Sequence, residues 1–163
     1  ALVNRGWRLL SDELTLIRLD TGEVMGLARP VNLKNASIDI IRAYAPEAFL
    51  TRPVHDTTKG TVALMAPSEA SVRDIATPAR PAWMILPRYR AGVDARLAPM
   101  GSGAAFLQIA DNAMNYHILG THGFAAVGRL VDDCRSYNFE YSRLDDAIAV
   151  FDRLAGDAEG DTP

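Results

Sequence analysis

The 163 residues contain one cysteine, Cys134, so neither an intrachain disulfide nor a multi-cysteine metal centre can form. Such sparing use of cysteine suits a reducing compartment, and a cytoplasmic location is expected. No apolar run approaches the roughly 18 residues of a membrane span, and no secretory leader pattern opens the chain. Lysine is nearly absent, with Lys34 and Lys59 the only two, and 17 basic residues against 20 acidic ones leave a net charge of -3. A nucleic-acid partner needs a concentrated basic face. Arg80, Arg88, Arg90 and Arg96 make only a local patch, better matched to one phosphate or an acidic peptide. His55, His117 and His122 lack the spacing of zinc ligands. Also missing is any glycine-rich phosphate loop, since Gly101-Ser102-Gly103 is short and no lysine follows it.

What is present is an ordinary globular composition, 48% hydrophobic and 23% charged, large enough for a buried core. The first third reads as strands at Trp7 to Leu10, Leu14 to Arg18 and Val24 to Leu27, the last two joined by Asp20-Thr21-Gly22 as a hairpin. Ser37 is expected to cap a short helix carrying Ile38, Ile41 and Ala45, which Pro46 stops. Thr61 to Met65 reads as a core strand, and residues 66–81 as an irregular surface connection. Trp83 to Leu86 is a further strand, and Arg96-Leu97 belongs to another.

The last third turns helical. Ser102 is expected to cap a helix with Phe106, Ile109, Ala110, Ala113 and Met114 inward, and a second helix carries Phe124, Val127, Val131 and Cys134 on one stripe. On that stripe Cys134 reads as a buried, inert thiol. Tyr137, Phe139 and Tyr141 alternate as a half-buried strand. Ser142 and Asp145 form a capping-box pattern for a final helix with Leu144, Ile148, Phe151 and Leu154 inward, ended by Gly156. The pattern predicts an α/β fold of mixed α+β type over residues 1–155, and a disordered acidic tail at 156–163.

The stretch that carries chemistry is Gly6-Trp7-Arg8-Leu9-Leu10-Ser11-Asp12-Glu13-Leu14, an apolar run ending in two adjacent acids. Acids at the end of a rigid strand suit a Mg²⁺-nucleotide site. Spacing alone favours a solvated Asp-Glu turn. Ala1 to Arg5 reads as the last turn of a helix whose beginning lies outside the sequence.

Four blocks together resemble the catalytic domain of HPr kinase/phosphorylase, and in particular the HPr kinase-related kinases. They are Arg8-Leu9-Leu10-Ser11-Asp12-Glu13, Ser37-Ile38-Asp39-Ile40-Ile41, Asp56-Thr57-Thr58-Lys59-Gly60-Thr61-Val62, and Ala113-Met114-Asn115-Tyr116 leading to Gly123-Phe124. They occur in the family's order over about residues 5 to 155.

The resemblance implies a P-loop kinase of the HPr kinase/PEP carboxykinase-like type, truncated ahead of Ala1. It implies ATP and Mg²⁺ as cofactors, a protein or peptide hydroxyl as acceptor, and homo-oligomers. Asp12 would act on Mg²⁺ and on the attacking hydroxyl, with Glu13, where the family has a second aspartate, as its neighbour. Asn115 would shape the site. Read as charges alone, Lys34 and Lys59 are candidate phosphate contacts, and Arg88 and Arg90 candidates for a substrate phosphate or acidic peptide. Without the phosphate loop, the chain by itself is expected to bind ATP poorly. The alternatives are a non-catalytic binding or scaffold domain on the same fold, or a small-molecule kinase.

Overall fold

A computed structural model describes the backbone through residue 160 and side chains through residue 156. The residues divide into two compact units, one of Ala1–Arg18 with Glu23–Ala79, the other of Leu19–Gly22 with the chain from Arg80 onward. The fold is mixed α/β, with strands in one two-stranded and two three-stranded sheets among the described residues.

In the first unit, a single 3-10 turn at Leu2–Arg5 stands where the end of a helix was expected. β1 (Leu16–Ile17) and β2 (Val24–Met25) pair antiparallel as the expected hairpin, though each is only two residues long. β3 (Val31–Lys34) follows, then α1 (Ala36–Tyr44), β4 (Val54–Thr57) and β5 (Gly60–Met65), with β5 central between antiparallel β3 and β4. The alternation Val31-Asn32-Leu33-Lys34 explains β3, since it turns Leu33 into the core and leaves Asn32 and Lys34 on the other face. α1 packs on β3, burying Ile38 and Ile41, and ends two residues before Pro46. Its N-cap is Asn35. Ser37 lies inside the first turn, its hydroxyl donating to the Lys34 carbonyl at 2.7 Å.

Two further expectations differ from the structure in this unit. Residues 66–81 are not wholly irregular, because α2 (Glu69–Arg73) forms there behind Ser68, whose hydroxyl accepts the Ser71 N–H at 3.2 Å. That helix in turn accounts for the missing strand at Trp7 to Leu10. The Leu9 N–H donates to the buried Ser71 hydroxyl at 2.9 Å, and the Arg8 guanidinium donates to the carbonyls of Asp74 and Thr77 at 3.1 and 2.8 Å. The Leu9 N–H, which a strand would direct to a neighbouring strand, is satisfied by a side chain of α2 instead.

The second unit contains β6 (Trp83–Tyr89), β7 (Arg96–Pro99), α3 (Ser102–Asn112), α4 (Tyr116–Leu119), α5 (Thr121–Asp133), β8 (Arg135–Tyr141) and α6 (Leu144–Gly160). β8 is central, parallel to β6 and antiparallel to β7. Successive residues of β6 face opposite ways, so Met84 packs on Ala105, Val127 and Val131 of α3 and α5, while Ile85 packs on Phe139, Ala147 and Val150. The sheet is thus covered on both faces.

Here too the structure departs from the periodicity in places. The helix begun at Ser102 stops at Asn112, its N-cap is Gly101 rather than Ser102, and Met114 is exposed. Phe124 is 61% exposed, while Val127, Val131 and Cys134 are buried as expected. Ser142 donates its hydroxyl to the Val93 carbonyl at 2.6 Å. α6 runs through Gly156 to Gly160, since one internal glycine costs only about 1 kcal/mol relative to alanine. Of the acidic tail, residues 161–163 lie outside the described residues. No helix among the described residues is long and apolar enough to cross a membrane.

Cys134 ends α5, and burial, reinforced by the neighbouring Asp133 carboxylate, pushes its thiol up from the ordinary cysteine range. A raised value means less thiolate near neutral pH. Alkylation by iodoacetamide at pH 8 is therefore expected to run at least about tenfold slower in the folded chain than in urea. Equal rates in the two states would show that the thiol is neither buried nor suppressed.

Candidate functional site

Asp12 and Glu13 lie in a bend of the first unit, pinned at three points. The Leu10 carbonyl accepts the Leu27 N–H at 2.6 Å, and the Ser11 hydroxyl accepts the Leu14 N–H at 3.2 Å. Asp12 Oδ2 accepts the Asn32 N–H at 2.9 Å. That last bond follows from topology. β3 is an edge of its sheet, so an outward-facing N–H there needs a partner, and the Asp12 carboxylate supplies it. The acids are therefore held at the side of β3, not at the end of a strand of their own.

Above the bend is an open cleft of about 150 Å³. Its polar wall is Ser11, Asp12, Glu13, Arg29 and Asn32, with Leu27 and Leu64 among its apolar residues. Typical ligand pockets span roughly 300–1,000 Å³, so this cleft has room for a phosphate or a hydroxyl-bearing side chain rather than for a whole nucleotide. Asn32 contributes its N–H to Asp12, while its own side-chain Oδ1 is buried without a hydrogen-bond partner.

No cluster of three or more His, Cys, Asp or Glu side chains is gathered among the described residues, so a dedicated metal cage is not built here. Mg²⁺ asks for less. It is commonly held by one or two carboxylates, completed by substrate phosphates and water. Asp12, with one oxygen left after its bond to Asn32, and exposed Glu13 beside it fit that smaller requirement.

Of the other candidates, the first unit also holds Lys34 and Lys59, but neither lines the cleft. Lys34 is the exposed last residue of β3. Lys59 occupies the β4–β5 turn, its backbone N–H donating to Thr57 Oγ1 at 3.1 Å. The cation at the cleft is Arg29, which sequence reasoning missed together with Asn32. The two-residue alternation after Pro30 was the available signal for Asn32, since it marks a strand with that residue turned outward.

Arg88, Arg90 and Asn115 belong to the second unit. Arg90 pairs with Glu140 Oε1 at 3.0 Å, and Arg88 lies exposed near the end of β6. Asn115 is the N-cap of α4 and makes no side-chain cap bond; its carbonyl accepts the N–H groups of Ile118 and Leu119. The His55 ring meets Thr61 Oγ1 at 3.2 Å, a local contact within the β4–β5 hairpin.

Comparison of the chain with protein-family models, with curated proteins and with solved structures finds no match in any of the three.

Proposed function

We propose that this chain is the acid-bearing part of an ATP-dependent kinase resembling HPr kinase, which transfers the γ-phosphate to a hydroxyl of a protein or peptide. The observation that carries the reading is the Asp12 carboxylate, fixed by the Asn32 N–H at the lip of a phosphate-sized cleft, with Arg29 in its wall. Phosphoryl transfer asks mainly for positioning and charge compensation, with a carboxylate to orient the acceptor hydroxyl and take its proton. Bound Mg²⁺ would neutralise charge developing on the phosphate oxygens. Asp12 and Glu13 would hold it, Arg29 would attract the transferring phosphate, and the rigid edge of β3 would keep Asp12 from swinging away. The nucleotide's phosphates would be cradled by a glycine-rich loop, which is not among these 163 residues.

The test is Mg²⁺-dependent ATP binding, measured by calorimetry on the longer protein carrying such a loop ahead of Ala1, and on its Asp12→Asn variant. Asparagine keeps an oxygen for the Asn32 N–H and removes only the charge. ATP affinity in Mg²⁺ is expected to fall about tenfold in the variant, with affinity in EDTA unchanged. If neither protein binds ATP, the kinase reading fails and a binding or scaffold role replaces it. If both bind equally with Mg²⁺ present, Asp12 is not part of the nucleotide site.

A further inference from the structure

Besides the cleft, the second unit carries a cationic patch at the end of its sheet. Arg88 on β6 and Arg96 on β7 both stand in register with Glu140 on the central strand β8, so all three share one sheet face. Arg90 continues the β6 ladder, its N–H donating to the Tyr141 carbonyl at 2.9 Å, and lies two residues beyond Arg88 on that same face. Glu140 is engaged by Arg90 at 3.0 Å. Neither Arg88 nor Arg96 has an ion-pair partner among the described residues, and Asp94, in the turn before β7, makes no ion pair with them. The face thus gathers three guanidinium groups around the Glu140 carboxylate, within a chain whose net charge is -3.

We infer that this sheet end is a docking surface for an extended acidic peptide; that such a peptide would be the kinase's acceptor rests on the reading above. Spacing argues for the peptide. Arg88 and Arg90 repeat at about 6.6 Å along the strand, and Arg88 and Arg96 stand roughly 10 Å apart across it. An extended chain with carboxylates at alternate positions repeats at about 6.6 Å along one side, which matches the pair on β6. Guanidinium forks bind carboxylates with two parallel hydrogen bonds, giving this match directional as well as electrostatic content. Three arginines on one short strip are too few to follow a nucleic-acid backbone.

The probe is a fluorescein-labelled dodecapeptide with glutamate at alternate positions, titrated with the whole chain and read by fluorescence anisotropy without ATP. Arg88→Gln and Arg96→Gln are each expected to weaken binding about fivefold. Glu140→Gln, which removes the carboxylate in register with both Arg88 and Arg96, is expected to tighten it about threefold. A peptide of the same composition with its glutamates grouped at one end should bind more weakly. The inference is overturned if the arginine variants bind like the parent, if Glu140→Gln weakens binding, or if the grouped peptide binds equally. It is also overturned, in favour of a nucleic-acid partner, if an oligo-dT strand binds more tightly and with the same arginine dependence. Because ATP is absent, a negative result leaves the kinase reading intact. A positive result with no ATP binding by the longer protein would leave a peptide-binding module without kinase activity.

Discussion

Phe139→Ala is expected to destabilise the second unit by about 3–5 kcal/mol, the range for removing a buried aromatic ring from a core that cannot collapse around the gap. Phe139 is 1% exposed and packs on Ala147 and Val150, with Leu97 and Phe151 completing the cluster. Its ring meets that of Phe151 edge-on at 5.3 Å and stacks on that of Tyr141 at the same distance. Relaxation is blocked by topology. β8 is hydrogen-bonded on both sides, to β6 and to β7, so its backbone cannot move into the hole without breaking a ladder. Such a loss is a large fraction of the 5–15 kcal/mol that ordinarily holds a domain folded. Urea unfolding followed by near-UV circular dichroism measures it, with Phe139→Leu as the milder companion, expected to cost about 1–2 kcal/mol. A loss below about 1 kcal/mol for the alanine variant would mean that the ring does not organise this core.

Gly60→Ala is expected to cost about 2–3 kcal/mol, and Gly92→Ala only about 1 kcal/mol. Both glycines have left-handed backbone, with φ of 81° and 77°. They differ in what a methyl group would meet. At Gly92 nothing lies within 4 Å, so the substitution bears only the backbone penalty. At Gly60 the new carbon would overlap the Asn35 side-chain oxygen, which accepts the Thr61 N–H at 3.1 Å. Either the hairpin shifts or Asn35 turns away, and turning away forfeits a hydrogen bond worth about 1 kcal/mol. Asn35 also caps α1 with its own φ at 50°, so a displacement there is felt at the start of that helix. Chemical denaturation of the two variants side by side isolates the steric part. Equal losses would show that the Gly60–Asn35 contact carries no stability.

The β1–β2 hairpin and β8 show how far local pattern reaches. Asp20-Thr21-Gly22 and the alternation of Tyr137, Phe139 and Tyr141 identified a turn and a strand, because both signals are carried by residues adjacent in the chain. The 3.6-residue stripe of α5 likewise located Val127, Val131 and Cys134 in the core. Phe124 sits on the same stripe but is exposed, because periodicity gives the angle of a residue around the helix and not how far along it the covering layer extends. At Asp12 the sequence offered the acid pair and its apolar approach. It could not offer Asn32, twenty positions away, whose N–H holds the carboxylate.

By itself, then, the sequence determined the mixed α/β class, the strand through Tyr137, Phe139 and Tyr141, the buried stripe of α5 and the exclusion of an intrachain disulfide, and it singled out the acid pair. Tertiary structure alone decided that Trp7 to Leu10 is not a strand, that Arg29 rather than either lysine lines the cleft, and that Arg88 and Arg96 flank a single glutamate. The reason is physical. Periodicity and turn chemistry act between residues within a few positions of each other, whereas Arg8 reaches the Asp74 and Thr77 carbonyls across 66 and 69 positions and Leu9 reaches Ser71 across 62. Which of many possible partners satisfies a backbone group at that distance depends on how the elements pack, and that is settled only when the chain is folded.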